Sequence, residues 1–320
     1  MSQPSKNSTS FFTRNSTVLL GNVISCGLWG SAAPCIKVGY SMFGVDTANV
    51  FSVWLFAGMR FTLAGLMVLL VVGLSDRRLP IPTRKELLPI VILGAFQTAI
   101  QYACYYIGVA NSTGVKVSLY NGTGPFITLL VTCLIFGTEK LTLRKISGCI
   151  VGFSGIALVA LDGGSGGVGG FTLIGEGMVI GAALASAFAS SFSKSFTKKM
   201  DALLLCGYQF VFGGIVMMIL GSLCGGQITR IAPSGCLLLT YMGLISSVAF
   251  GVRMILLKYN PVSKVTIYQF LTPIFGVFLS ALILKEDAFR FRMIISLALV
   301  VAGIYLVNSV GAAGKTQKLT

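Results

Sequence analysis

Residues Lys116–Leu141 read KVSLYNGTGPFITLLVTCLIFGTEKL, and residues 264–289 read KVTIYQFLTPIFGVFLSALILKEDAF. Placing Lys116 on Lys264 sets an offset of 148 (264 − 116). Without a gap, Val117 then falls on Val265, Ser118 on Thr266, Tyr120 on Tyr268, Asn121 on Gln269 and Pro125 on Pro273. The same register carries on to Glu139 with Asp287 and to Gly155 with Gly303. Agreement sustained over about 40 positions marks an internal duplication.

The composition says where both copies sit. The chain is 55% hydrophobic and 10% charged, against about 25% charged in soluble domains. Ten apolar segments of roughly 19–26 residues follow one another, each long enough at 1.5 Å per residue to cross a bilayer. They fall near 18–43, 49–74, 87–108, 112–137, 143–161, 174–197, 202–223, 235–257, 262–284 and 291–310. The expected fold is therefore an all-α integral membrane protein of ten transmembrane helices. Its expected parts are a polar tail (1–17), a first five-helix repeat (18–161), a Gly-rich linker (162–173), a second repeat (174–310) and a second tail (311–320). Five is odd, so the second repeat enters the membrane from the opposite side. Inverted-topology repeats build secondary transporters, because exchanging the conformations of two near-equivalent halves turns an inward-open cavity outward.

Charge placement orients the chain. Sixteen basic residues lie on one side, among them Arg14, Arg77, Arg78, Lys140, Lys145, Lys198, Lys258 and Lys264; five (Lys116, Arg230, Lys285, Arg290, Arg292) lie on the other. The positive-inside rule then places both termini in the cytoplasm. The basic loop 285–292 on the outer side has no explanation at this level. The net charge of +15 is spent on topology and does not point to nucleic acid. The eight cysteines sit in apolar runs without metal-ligand spacing and read as small hydrophobes. Two apparent nucleotide motifs fail. The glycines of 162–170 follow no strand, and Gly314-Lys315-Thr316 lacks both the first glycine of a phosphate loop and a following helix.

At Leu28-Trp29-Gly30 followed by Lys37, at Arg60-Phe61, and at the segments Pro125–Glu139 and Pro273–Glu286, the chain resembles the drug/metabolite transporter superfamily, in its ten-helix branch with two EamA domains. The resemblance covers about 18–310. It implies export of small metabolites, often amino acids, across the bacterial cytoplasmic membrane. Related branches exchange sugar phosphates or nucleotide sugars, so a phosphorylated anion is the alternative substrate, and a non-transporting receptor or scaffold the alternative role.

Within the membrane the sequence holds cations but no histidine, and all nine acids fall at helix ends or in loops. A carrier driven by protons needs a carboxylate or imidazole in the membrane, so a buried-glutamate mechanism is not expected. Arg60, central in the second segment, costs at least about 2.5–3.5 kcal/mol there. It is read either as the counter-charge of an anionic substrate or as a cation held by backbone carbonyls, Gln97 and Gln101. Lys37 and Arg253 are expected to extend towards headgroups. Lys116 and Lys264 oppose their helix dipoles and are expected at the two mouths of a cavity. Tyr120 with Asn121, Tyr268 with Gln269, and Trp29 are expected to line it, with Pro125 and Pro273 as hinges. The expected partners are a small-molecule substrate and the lipid bilayer, with monomer and homodimer both open. No cofactor, metal or catalytic residue is expected, and an intramembrane enzyme is disfavoured for want of an acid–base pair.

Overall fold

The computed structural model describes residues 11–76, 81–137, 141–161, 171–197, 200–260, 265, 267–287 and 291–313. Residues 162–170 of the expected linker, Lys264, Glu139 and the ends of both tails lie outside the described residues. Among the described residues there are ten apolar helices: α1 (Asn15–Phe43), α2 (Val50–Ser75), α3 (Arg84–Ala110), α4 (Gly114–Ile135), α5 (Leu143–Ala160), α6 (Leu173–Ser193), α7 (Ala202–Leu223), α8 (Pro233–Tyr259), α9 (Tyr268–Leu284) and α10 (Phe291–Val307). Eight are long and apolar enough to cross a membrane, and α9 and α10 are shorter apolar helices. Each falls within a few residues of its expected segment. The first begins earlier than expected, at Asn15, inside what composition alone marks as tail.

Inversion is visible in how equivalent helices touch. The two most extensive contacts join α2 to α7 and α5 to α10, and α4 also packs on α9, each a helix against its own repeat partner. In all three pairs the chains run antiparallel. Gly58 faces Gly214 and Met218, Gly65 faces Gly207 and Val211, and Gly221 faces Phe51 and Leu55. Gly148 likewise meets Gly303 and Val307 while Gly155 meets Ser296 and Val300; Gly114 meets Ser280 and Leu284 while Gly276 meets Ser118. Helices related by a twofold axis in the membrane plane must cross in this sense. The remaining contacts obey the same operation, α3 packing on α6 as α8 packs on α1. Glycine at the crossings lets backbones approach closely, the packing that apolar helices in lipid rely on.

The core is continuous across the repeats. Phe56, Phe61, Tyr106, Tyr120 and Phe126 of the first repeat are buried in one cluster with Phe210, Met217, Met242 and Val300 of the second.

Of the irregularities in the described helices, three bear on the cavity. Helix α3 passes through a π-helical stretch at Gly94–Ile100. Helix α4 breaks between Asn121 and Gly124, and the 3₁₀ turn Ile267–Phe270 leads into α9. Asn121 and Gln269 thus occupy equivalent breaks. Each stands four residues before a proline, whose missing N–H leaves the amide residue's own carbonyl without its helical partner.

Candidate functional site

Between the repeats lies a cavity of about 500 Å³. The first repeat supplies Trp29 and Ala32 from α1, Arg60 from α2, Gln97, Gln101, Tyr102 and Tyr105 from α3, and Asn121, Pro125 and Thr128 from α4. The second supplies Ser186 and Ser190 from α6, Ser246, Phe250 and Arg253 from α8, and Gln269, Thr272 and Pro273 around the α9 break. The lining reaches Lys145, in the first turn of α5, at one end of the bundle.

The charged side chains among the described residues lining the cavity are all of one sign. Arg60, Arg253 and Lys145 line it, and among the described lining residues there is no carboxylate. Arg60 is 2% exposed. Its Nε donates to the Met242 carbonyl at 3.1 Å, Nη1 to the Tyr106 hydroxyl at 3.0 Å and Nη2 to Ser246 Oγ at 3.2 Å. Phe61 packs beneath it, its ring centroid 5.1 Å from Cζ. All its acceptors here are neutral, so these contacts orient the cation and leave its charge uncompensated. The Arg60 holders foreseen in the sequence, Gln97 and Gln101, line the cavity instead, and Gln101 Oε1 has no hydrogen-bond partner. The π-helical stretch of α3 carries Gln97, and Gln101 follows directly upon it.

Arg253 does not extend towards headgroups. Its guanidinium lies against the Trp29 ring, 5.3 Å from the centroid, and Trp29 is held edge-on by Phe250 at 5.4 Å. With the Gln269 amide turned so that donors meet acceptors, its oxygen accepts from both Nη1 and Nη2 of Arg253 at 2.7 Å. The pairing of the α1 aromatic Trp29 with this α8 cation carries no signal in the sequence, since the two are far apart along the chain. Arg253 stands only six residues from the end of α8, so distance along the helix favoured the headgroup reading.

Of the residues expected to bind, Trp29, Arg60, Gln97, Gln101, Asn121 and Gln269 line the cavity together with Pro125 and Pro273. Tyr120, Tyr268 and Lys116 do not line it. One residue is about 100° of helix, so where Asn121 and Gln269 face the cavity their neighbouring tyrosines face away. Tyr120 is fully buried, its ring 6.2 Å from Phe171. Tyr268 packs on the cluster of Val18, Leu256 and Val265. The prolines follow the breaks within the first turn of the resumed helix, Pro125 in the second half of α4 and Pro273 in α9.

Lys116 is not at a mouth. It is 4% exposed and pairs with Glu176 at 2.7 Å. Glu176, expected at a helix end, is indeed in the first turn of α6, yet it is 1% exposed. It also accepts from Ser112 Oγ, from the Thr172 backbone amide at 2.7 Å and from Thr172 Oγ1 at 3.0 Å. The carboxylate is thus enclosed in protein and fully engaged. A second acid closes the same end. Glu286 accepts from the Gly114 and Val115 amides at 2.8 and 2.7 Å and lies 3.7 Å from Lys37 Nζ. Two carboxylates at the start of α4 answer the unfavourable meeting of Lys116 with its helix dipole. Lys37, Lys116, Glu176 and Glu286 are absent from the cavity lining. These contacts tie the described residues together at this end, and the cavity lining reaches the other.

A ten-helix bundle with an inverted repeat around a polar cavity is the form of a carrier, and the family profile for EamA-like transporters matches the chain twice, at 16–161 and 173–309. The chain belongs to the EamA-like transporter family. It is therefore a multi-pass integral membrane protein and a transporter, not an enzyme. Similar proteins include the uncharacterized transporter YvbV of Bacillus subtilis, 26% identical over 83% of this chain and 85% of that protein. The uncharacterized transporter YetK of the same organism is 23% identical over 79% and 78%. A probable terminal-alkyne amino-acid exporter of Streptantibioticus cattleyicolor is 27% identical over 44% of each chain. Among solved structures, a protein of unstated activity superposes with a TM-score of 0.64 at 19% identity, covering 94% of this chain and 99% of its own; that likeness concerns the fold alone.

Proposed function

We propose that this EamA-family transporter moves a small metabolite bearing a carboxylate, an amino-acid-like zwitterion or an organic anion, by alternating access across the cytoplasmic membrane. The observation that carries the reading is the cavity between the repeats, which presents Arg60, Arg253 and Lys145 and no carboxylate among its described lining. A buried guanidinium is retained in a membrane protein where it gains a partner, and a carboxylate matches its fork bidentately. Neutral hydroxyls and amides around it (Gln97, Gln101, Asn121, Ser186) suit the remaining polar groups of such a substrate. The name of the Streptantibioticus relative, an amino-acid exporter, agrees with this class.

Both termini are cytoplasmic in this reading, following the basic residues, so the Lys145 end faces the cytoplasm and the cavity is open inward. The Glu286 and Glu176 contacts then form the outer seal. Purified protein in liposomes, offered radiolabelled amino acids, dicarboxylates and a sugar phosphate, tests the proposal. Carboxylates are expected to cross, and loss of that flux in Arg60→Met is expected to be at least about tenfold, or 1.4 kcal/mol of differential binding. Flux of the sugar phosphate alone would transfer the site to phosphorylated substrates, and no flux of any would remove the transport assignment of substrate class.

A further inference from the structure

The Gln269 side chain occupies the place a substrate carboxylate would take. Its oxygen sits between the two terminal nitrogens of Arg253, 2.7 Å from each, which is where one oxygen of a bound carboxylate would lie. The guanidinium also lies against the Trp29 ring, 5.3 Å from its centroid, a contact that does not depend on Gln269. Gln269 is also not fastened in a regular helix. It belongs to the 3₁₀ turn Ile267–Phe270 that precedes the α-helical part of α9, and Pro273 withholds the amide that would bond its carbonyl. Both Arg253 and Gln269 line the cavity.

From this geometry we infer that Gln269 is an internal competitor for Arg253, a specificity-determining residue that a carboxylate displaces when it binds. The inference deepens the carboxylate-transport reading above and rests on it. A neutral amide offers Arg253 one oxygen without charge. A carboxylate offers two oxygens with charge, and hydrogen bonds of that kind are roughly twice as strong. Neutral or amidated compounds gain nothing over the amide already in place and are turned away. Displacing Gln269 frees the turn that leads into α9, the helix packed along α4, and so the same event that recognises the anion loosens the centre of the repeat interface.

The opposing substitutions Gln269→Glu and Gln269→Leu test this. A tethered carboxylate competes at a high effective concentration, so Gln269→Glu is expected to raise KM for carboxylates by about tenfold or more, or to abolish their flux. Gln269→Leu removes the competitor and is expected to bring KM below the wild-type value. Proteoliposome uptake of radiolabelled amino acids and succinate is the measurement, with thermal shifts produced by leucine against leucinamide as a second readout. In the wild type and in Gln269→Leu, leucine is expected to shift the melting temperature more than leucinamide does; in Gln269→Glu neither should. Arg253→Lys keeps the charge and loses the fork, so it is expected to raise KM for carboxylates without removing flux. If Gln269→Glu handles carboxylates as the wild type does, or if Gln269→Leu weakens them as much as Gln269→Glu, Gln269 is no competitor and the inference falls while carboxylate transport stands. If the wild type moves no carboxylate, both fall.

Discussion

Two residues show how a position that looks costly in the sequence is accommodated. Lys116 is buried beside Glu176 at 2.7 Å, and breaking a buried pair by removing one partner costs about 3–5 kcal/mol because the other charge is stranded. Lys116→Met or Glu176→Gln alone is therefore expected to lower stability by several kcal/mol. The double variant is expected to recover at least half of that loss, since no charge is stranded. Chemical denaturation in detergent measures the cycle, and additive single effects would show that the two groups do not act as a pair. Lys285 is the other case. It closes α9 in the left-handed conformation, φ 55°, and its repeat counterpart is Gly137, φ 60°. The duplicated bend has kept its geometry where the glycine has been replaced, and a side chain in this region costs roughly 1–2 kcal/mol. Lys285→Gly should raise the melting temperature, and a fall would mean that the lysine gains more from its surroundings than the bend costs. The bend is followed at once by Glu286, which turns back onto α4.

At the scale of helices, Glu286 is a cap supplied by a distant loop. Thr113 Oγ1 takes the Lys116 amide at 3.2 Å while Glu286 takes those of Gly114 and Val115, so three first-turn donors of α4 are answered by two side chains. In Glu286→Gln the capping acceptor loses its charge and the contact to Lys37 is weakened. Hydrogen exchange at Gly114 and Val115 is expected to quicken about tenfold or more, with α2 and α7 unaffected; unchanged protection there would show that the carboxylate contributes nothing to closing this end. The sequence made the helices, the duplication and the amide pair Asn121/Gln269 legible, because apolar length and a gapless offset survive without coordinates. It could not give rotation about a helix. Tyr120 and Asn121 are neighbours in the chain and face different surroundings, since the break at Gly122 decides which of them looks inward. Nor could it show Glu176 as buried, because a carboxylate in a first turn reads as exposed until Lys116 of another helix is set beside it.

For the molecule as a whole, the asymmetry among the described residues is that ion pairs tie one end while the cavity reaches the other. The tied end holds Lys37–Glu286, Lys116–Glu176 and the buried hydrogen bond from the Tyr40 hydroxyl to the Tyr106 carbonyl at 2.7 Å. The cavity runs from Arg60 to Lys145 at the other. Alternating access requires that the tied end release when the open end closes, and repeat symmetry supplies the means, since α4 and α9 are equivalent and antiparallel. Single cysteines in a background without the native eight report which end is open. Ser186, in the lining, is expected as Ser186→Cys to react with a membrane-impermeant thiol reagent added from the cytoplasmic side. Ser118, buried where α4 meets Gly276, is expected as Ser118→Cys to stay protected from both sides until Glu286→Gln is added, when labelling from outside should rise. Labelling of Ser186→Cys from outside alone would reverse the assigned orientation. Equal labelling of it from both sides at rest would mean a channel-like path, which two ion-paired, capped helices at one end are poorly built to provide.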